Sequence, residues 1–117
     1  MHTYVPIEVS ELEILLAGRS WQPSHIFSAT SDFLEGNPDL DEEECEYLLS
    51  LEAAQVALEG KEKALVIAAD IENTEEISFK DIQCVFLCSY SDEDSEIDLA
   101  WFGPTEISSQ LPEWKTM

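Results

Sequence analysis

Two long runs of apolar residues dominate the pattern of the chain. ALVIAADI spans residues 64–71 and is rich in β-branched side chains, and IQCVFLCSY spans residues 82–90. Apolar runs of this length without polar alternation are typical of strands that are covered on both faces of a sheet. They therefore predict two central strands. Shorter segments predict the remaining strands, at 3–7, 25–30 and 99–103, with residues 77–79 as a further short candidate.

The first helical pattern follows the first strand. Ser10 and Glu13 form an S-x-x-E capping box, which predicts the start of a helix. Leucines at positions 12, 15 and 16 supply its apolar stripe, and Gly18 is placed to end it. Thr30 or Ser31 is placed to cap a brief helical turn before Gly36 and Pro38 break the chain.

The longest predicted helix runs from about Asp41 to Glu59 and ends at Gly60. Four acidic residues fill its first turn, where the helix dipole favours negative charge. Its predicted buried stripe consists of Leu48, Leu51, Ala54 and Leu58.

These elements predict one α+β (or α/β) domain spanning residues 1–117. The order β-α-β-(α)-α-β-β-β fits a four- to five-stranded sheet packed with two main helices. The predicted core comprises Leu48, Leu51, Val66, Ile67, Val85, Leu87 and Trp101. Trp21 and Trp114 lie in proline-flanked segments, where core packing competes with a role as exposed interface anchors.

The charge balance narrows the range of partners. The chain has 26 acidic and 5 basic residues, for a formal net charge of −21. Direct binding to nucleic acid or to an anionic membrane requires clustered Lys and Arg, so neither is expected. Two interpretations remain open, an acidic surface that is merely solvated and an acidic surface that binds a basic protein.

The cysteines and the first residues indicate a cytoplasmic setting. Cys45, Cys84 and Cys88 are odd in number, so they form no complete disulfide framework. In a strand, Cys84 and Cys88 share a face about 13 Å apart, which is too far for a bridge. We expect three buried thiols in a reducing compartment. MHTYVPIEV lacks the basic and apolar regions of a signal peptide, and no apolar run is long enough to span a membrane.

Two acidic segments, 41–46 and 92–98, are the candidate functional residues. We assign a partner-binding acidic patch to Glu42, Glu43, Glu46, Asp92 and Asp94. No metal site is expected, because no His lies at helical spacing from the first segment. The second segment begins like a calcium loop, but Ile97 and Gly103 occupy the positions that need Gly and Glu. No glycine-rich phosphate loop or other cofactor motif is present.

Four segments carry a family resemblance: TYVP, DEEECEYLLSLEAA, VIAAD and LAWFGPTEI. In this order they resemble a family of small, acidic, uncharacterised bacterial proteins, a domain of unknown function. The chain departs from that pattern after Cys88, where the family has a longer helical insert. The resemblance implies the order of elements and a cytosolic setting, and it implies no catalytic residues.

Two classes of function follow. The first is a non-enzymatic domain that offers its acidic surface to a basic partner, with a nucleic-acid mimic or inhibitor as a special case, since spaced carboxylates resemble the phosphates of DNA. The second is a small enzyme using Glu46, Asp70 and Glu106 with Tyr47 nearby. A pocket where these carboxylates meet Tyr47 favours the enzyme, and an acidic ridge without such a pocket favours the binding protein.

Overall fold

The computed structural model describes residues 2–71, 76–90 and 96–117. They form a five-stranded sheet in the order β2-β1-β3-β4-β5, with antiparallel pairing throughout. The strands are β1 (His2–Ile7), β2 (Phe27–Ser28), β3 (Lys63–Asp70), β4 (Ile82–Tyr90) and β5 (Ile97–Phe102). The two long apolar runs form β3 and β4, which are adjacent in the sheet. Because an antiparallel sheet is combined with helices, the α+β prediction is confirmed.

Four helices accompany the sheet in the described part of the chain. They are α1 (Val9–Leu16), α2 (Ser31–Gly36), α3 (Glu42–Ala57) and α4 (Ile107–Trp114), and short 3-10 turns cover Phe79–Asp81 and Pro104–Glu106. Thr30 caps α2, as predicted. The capping box of α1 was predicted at the wrong residues. It joins Glu8 and Glu11, because α1 starts directly after β1, and the Glu8 amide donates to the Glu11 carboxylate at 2.8 Å.

The sheet separates two apolar layers. Residues 64 and 66 of β3 face α3, whereas residues 65 and 67 face α1 and α4, because side chains alternate along a strand. The larger layer contains Val5, Ile7, Leu12, Leu15, Leu65, Ile67, Ala69, Ile71, Ile77, Ile82, Val85, Ile107 and Trp114. The smaller layer contains Ala53, Ala54, Leu58, Ala64, Val66 and Cys88.

The predicted core is confirmed only in part. Val66, Ile67 and Val85 are fully buried. The side chains at 51 and 87 are half-buried. Leu48 is 37% exposed, which contradicts the prediction. Two members of the predicted stripe of α3, Ala54 and Leu58, are buried as predicted. The rest of the inner face is formed by Cys45, Leu49, Ser50 and Ala53. Small residues suit this face because aromatic side chains rise from the sheet beneath the helix.

Of the three tryptophans, Trp21 and Trp114 follow the core-packing alternative, and only Trp101 contradicts its prediction. Trp114 is 2% exposed, and its ring meets Phe102 edge to face at 5.4 Å. Trp21 is half-buried, bridges to Ile77, and donates its indole N–H to Glu11 at 2.9 Å. Trp101, which was predicted in the core, is 60% exposed. It lies on the edge strand β5, whereas α3 packs chiefly against β1 and β3.

Candidate functional site

The N-terminal turn of α3 presents the first three residues of the predicted acidic patch. Asp41 caps the helix, and its carboxylate accepts from the Glu44 amide at 2.8 Å. Glu42 and Glu43 are exposed, and Glu46 is half-buried one turn further along. The unpaired amides and the positive end of the helix dipole stabilise carboxylates here, which explains why acids form this turn.

Among the described residues, no ion pair involves the acidic N-terminal turn of α3. The described residues contain two lysine ion pairs, Lys61 with Glu8 at 2.6 Å and Lys115 with Glu13 at 3.5 Å. Both lie near α1 and involve no residue of the acidic turn. The carboxylates at 42 and 43 therefore face solvent without an ion-pair partner in the described part of the chain.

The part of the predicted acidic patch that lies in the second acidic segment stays a prediction. Asp92 and Asp94 lie outside the described residues, so their distance from α3 is not defined. The described part of the patch is thus Glu42, Glu43 and Glu46 on one helix.

Glu46 also borders an inward-facing aromatic pair. The Tyr4 and Phe86 ring centroids lie 6.5 Å apart beneath α3. Burial raises the pKa of Tyr4 to about 12, and the charges of Glu46 and Cys84 add to this effect. Tyr4 is therefore a neutral phenol at physiological pH and is unsuited to act as a base.

The thiols are equally unsuited to nucleophilic chemistry. All three cysteines are buried and free. Burial raises the pKa of Cys88 to about 12. Burial also raises the pKa of Cys84, opposed in part by a hydrogen bond from the Trp101 side chain. A thiol that stays protonated is a poor nucleophile and metal ligand.

Trp101 is fixed at the rim of the open sheet face. It lies opposite Phe86 in the β4–β5 register and above Cys84. A Cβ built on Gly103 would lie 3.1 Å from Cη2 of Trp101 and 3.8 Å from Oε1 of Glu106. An exposed indole and an exposed carboxylate thus lie on either side of the buried Gly103. No local signal in the sequence reveals this exposure, because the place of a strand in the sheet depends on long-range pairing.

An open groove of about 1260 Å³ lies at the other end of the sheet. It is lined by both acidic and basic side chains, including Glu8, Glu11, His25, Lys61, Lys63 and Lys115. The residues of the enzyme hypothesis are not among its walls: Glu46, Asp70 and Glu106 do not line it, and Tyr47 is 55% exposed elsewhere. Within the described residues, no three His, Cys, Asp or Glu side chains come together as a metal-binding group.

Comparison with known families decides the chain's classification. Residues 1–87 match the model of DUF6912, a family of unknown function. The chain belongs to this family. LAWFGPTEI, one of the four segments that suggested the resemblance, lies beyond the matched residues. No curated protein and no solved structure matches the chain. No helix of the described residues is long and apolar enough to cross a membrane.

Proposed function

We propose that this DUF6912 member is a non-enzymatic domain that binds a basic protein through the acidic N-terminal turn of α3. The observation that carries the proposal is the pair Glu42 and Glu43, exposed and without a cationic partner among the described residues. The net charge of −21 extends the same field over the whole domain.

Electrostatics explains why such a surface suits binding better than folding. Neighbouring carboxylates repel one another, and this repulsion offsets part of the stabilisation that the helix dipole gives them. A basic partner converts the repulsion into attraction and accelerates encounter, most strongly at low salt. The acidic turn therefore serves the speed and selectivity of association more than the stability of the domain.

The site geometry supports this function over the carboxylate enzyme. A catalytic group must lie within reach of a bound substrate, and the carboxylates of the enzyme hypothesis do not line the groove. Tyr47, the fourth residue of the enzyme hypothesis, is 55% exposed and does not line the groove either. The proposal also places the domain in the cytoplasm, in keeping with its free, buried cysteines.

Two charge-reversal variants test the proposal. Glu42→Lys/Glu43→Lys alters the acidic turn, and Glu59→Lys/Glu62→Lys makes the same change in net charge at exposed positions beyond the other end of α3. Each protein is used as bait for cytosolic proteins at low and high salt. We expect the first variant to lose the basic proteins that the wild type captures, and the second to keep most of them.

Circular dichroism checks that both variants fold. Equal capture by wild type and by the Glu42/Glu43 variant would contradict the proposal. Competition by duplex DNA for the captured protein would identify the special case of nucleic-acid mimicry, because the acidic turn and the phosphates would then share one channel.

A further inference from the structure

The outer edge of β5 is open in the described part of the chain. β5 is the last strand in the sheet order, and β4 occupies its inner edge. An edge strand presents alternating N–H and C=O groups that another extended chain can pair with. The opposite edge offers less, since β2 has only two residues.

The face of β5 on the α3 side is apolar and only partly covered. Ile97 and Leu99 are half-buried there, and Trp101 is 60% exposed. These three side chains share one face because they alternate along the strand. Free edges in natural proteins are often protected by charged residues, especially lysines, or by prolines. β5 has one charged residue, Asp98, and no Lys or Pro.

The charges beside this edge are acidic. Asp98 is exposed on the opposite face of β5, Glu96 precedes the strand, and Glu106 lies beside Trp101 across Gly103. Lys63 is on the same face as Asp98, but it is two strands away and forms no ion pair with it in the described residues. A second copy of the chain would bring another net charge of −21 to the edge, so charge opposes self-pairing and favours a basic strand.

We propose that β5 accepts an extended basic segment of the protein partner as a sixth strand, with a cationic side chain on the Trp101 indole. This inference rests on the proposed function and names the partner's chemistry. A cation over an indole is attracted to the ring's negative face, and Glu106 strengthens the attraction. The backbone of the segment pairs with the free edge.

The register specifies a sequence pattern. In an antiparallel segment, one basic residue faces Trp101, an apolar residue faces Leu99, and a second basic residue faces Asp98. The two cations are three positions apart and therefore project from opposite faces of the added strand. A matching probe is acetyl-Thr-Arg-Thr-Val-Lys-Val-Thr-amide. Its control, acetyl-Thr-Val-Thr-Arg-Val-Lys-Thr-amide, has the same composition with both cations on one face.

Titration of the full-length protein with both peptides tests the pattern. We expect the matching peptide to bind at least about fivefold more tightly than the control, and Trp101→Ala to weaken it by about tenfold. Tyr47→Ala removes a comparably exposed aromatic ring from α3 and should change the affinity by less than about twofold. Equal affinity for both peptides, or no effect of Trp101→Ala, would overturn the proposal.

Backbone N-methylation separates strand addition from simple charge attraction in the wild-type protein. Alternate amides of an added strand point toward the sheet, so two peptides methylated in opposite phases should behave differently. One phase should abolish binding, while the other should retain it within about twofold. Two phases that bind equally well would overturn strand addition even if Trp101→Ala failed to fold.

The two proposals fail in distinguishable ways. Binding of the probes that is insensitive to Trp101 and to the methylation phase, but is lost in Glu42→Lys/Glu43→Lys, overturns strand addition and leaves the acidic turn as the binding surface. Binding that responds to Trp101 and to the phase, with cytosolic capture unchanged by Glu42→Lys/Glu43→Lys, supports the β5 edge and overturns the proposed role of α3.

Discussion

The Trp101 ring leans over Gly103, so closely that a Cβ on Gly103 would lie 3.1 Å from its Cη2 atom. Gly103 has an ordinary φ of −73°, so the backbone does not require glycine there. The missing side chain instead makes room for an indole that is held at the edge of the sheet and is open to solvent.

Gly103→Ala should therefore displace the Trp101 ring without unfolding the protein. The contact is with the far end of an exposed side chain, so we expect the free energy of unfolding to change by no more than about 1 kcal/mol. Backbone and indole N–H chemical shifts should change around residues 101–106 and stay constant in α1. A loss of more than about 3 kcal/mol would show that the ring is packed more rigidly than its exposure indicates.

Two adjacent leucines test the orientation of α3. Leu49 is 3% exposed and Leu48 is 37% exposed. We expect Leu49→Ala to lower the free energy of unfolding by about 2–5 kcal/mol, as large-to-small changes in a core do, and Leu48→Ala to lower it by less than about 1 kcal/mol. Denaturant titration of the two variants measures both values. The reverse order would restore the helix face that the sequence pattern predicted.

The pattern of apolar residues predicted the central part of the fold well. Runs 64–71 and 82–90 form two adjacent strands of the sheet. Both faces of each strand are covered, and a strand that is covered on both faces needs continuous apolar residues. The residues of α3 that face the sheet were harder to predict. Leucine looks like core in any amphipathic helix, whereas the structure exposes Leu48 and buries Ala53 under a sheet face rich in aromatic rings.

The candidate site was less predictable than the fold. An acidic first turn can be recognised in a sequence because the helix dipole explains it, and Glu42 and Glu43 are exposed as expected. The exposure of Trp101 could not be predicted from the sequence. An apolar strand is buried when it lies in the middle of a sheet and partly exposed when it lies at the edge. Strand order depends on long-range pairing, which local pattern does not specify.

Alkaline pH should reveal the environment of Tyr4. Its pKa is raised from 10.0 in the unfolded chain to about 12 in the folded one, chiefly by burial. Between these values the unfolded chain has lost the proton and the folded chain has kept it, so stability falls as pH rises through this window. We expect Tyr4→Phe to reduce that fall, while Tyr47→Phe, at an exposed position, leaves it unchanged.

Because burial raises the pKa of Cys88, this thiol also makes stability fall as the pH rises above 9.0. Cys88 is present in all three proteins, so a difference between their slopes reports on Tyr4. The measurement is the denaturation midpoint against pH for wild type, Tyr4→Phe and Tyr47→Phe. Identical slopes in all three proteins would contradict the raised pKa of the half-buried Tyr4 phenol.

Salt should stabilise the domain. With a net charge of −21, self-repulsion dominates over the few exposed ion pairs. Raising the ionic strength from about 0.01 M to about 0.1 M shortens the Debye length from about 30 Å to about 10 Å, which screens that repulsion. The melting temperature should rise over this range, and a constant or falling value would show that local ion pairs outweigh the global field.

The central claim, that the acidic turn of α3 receives a basic protein, is tested most directly by association kinetics with a purified captured partner. The rate constant is measured against salt for the wild type and for a variant with Glu42, Glu43, Asp92 and Asp94 all changed to Lys. Electrostatic steering predicts a wild-type rate that falls steeply with salt, and a variant rate that is lower at low salt and falls less steeply as salt is added. Equal rates and equal salt dependence in two correctly folded proteins would contradict the claim, and the acidic excess would then serve solubility alone.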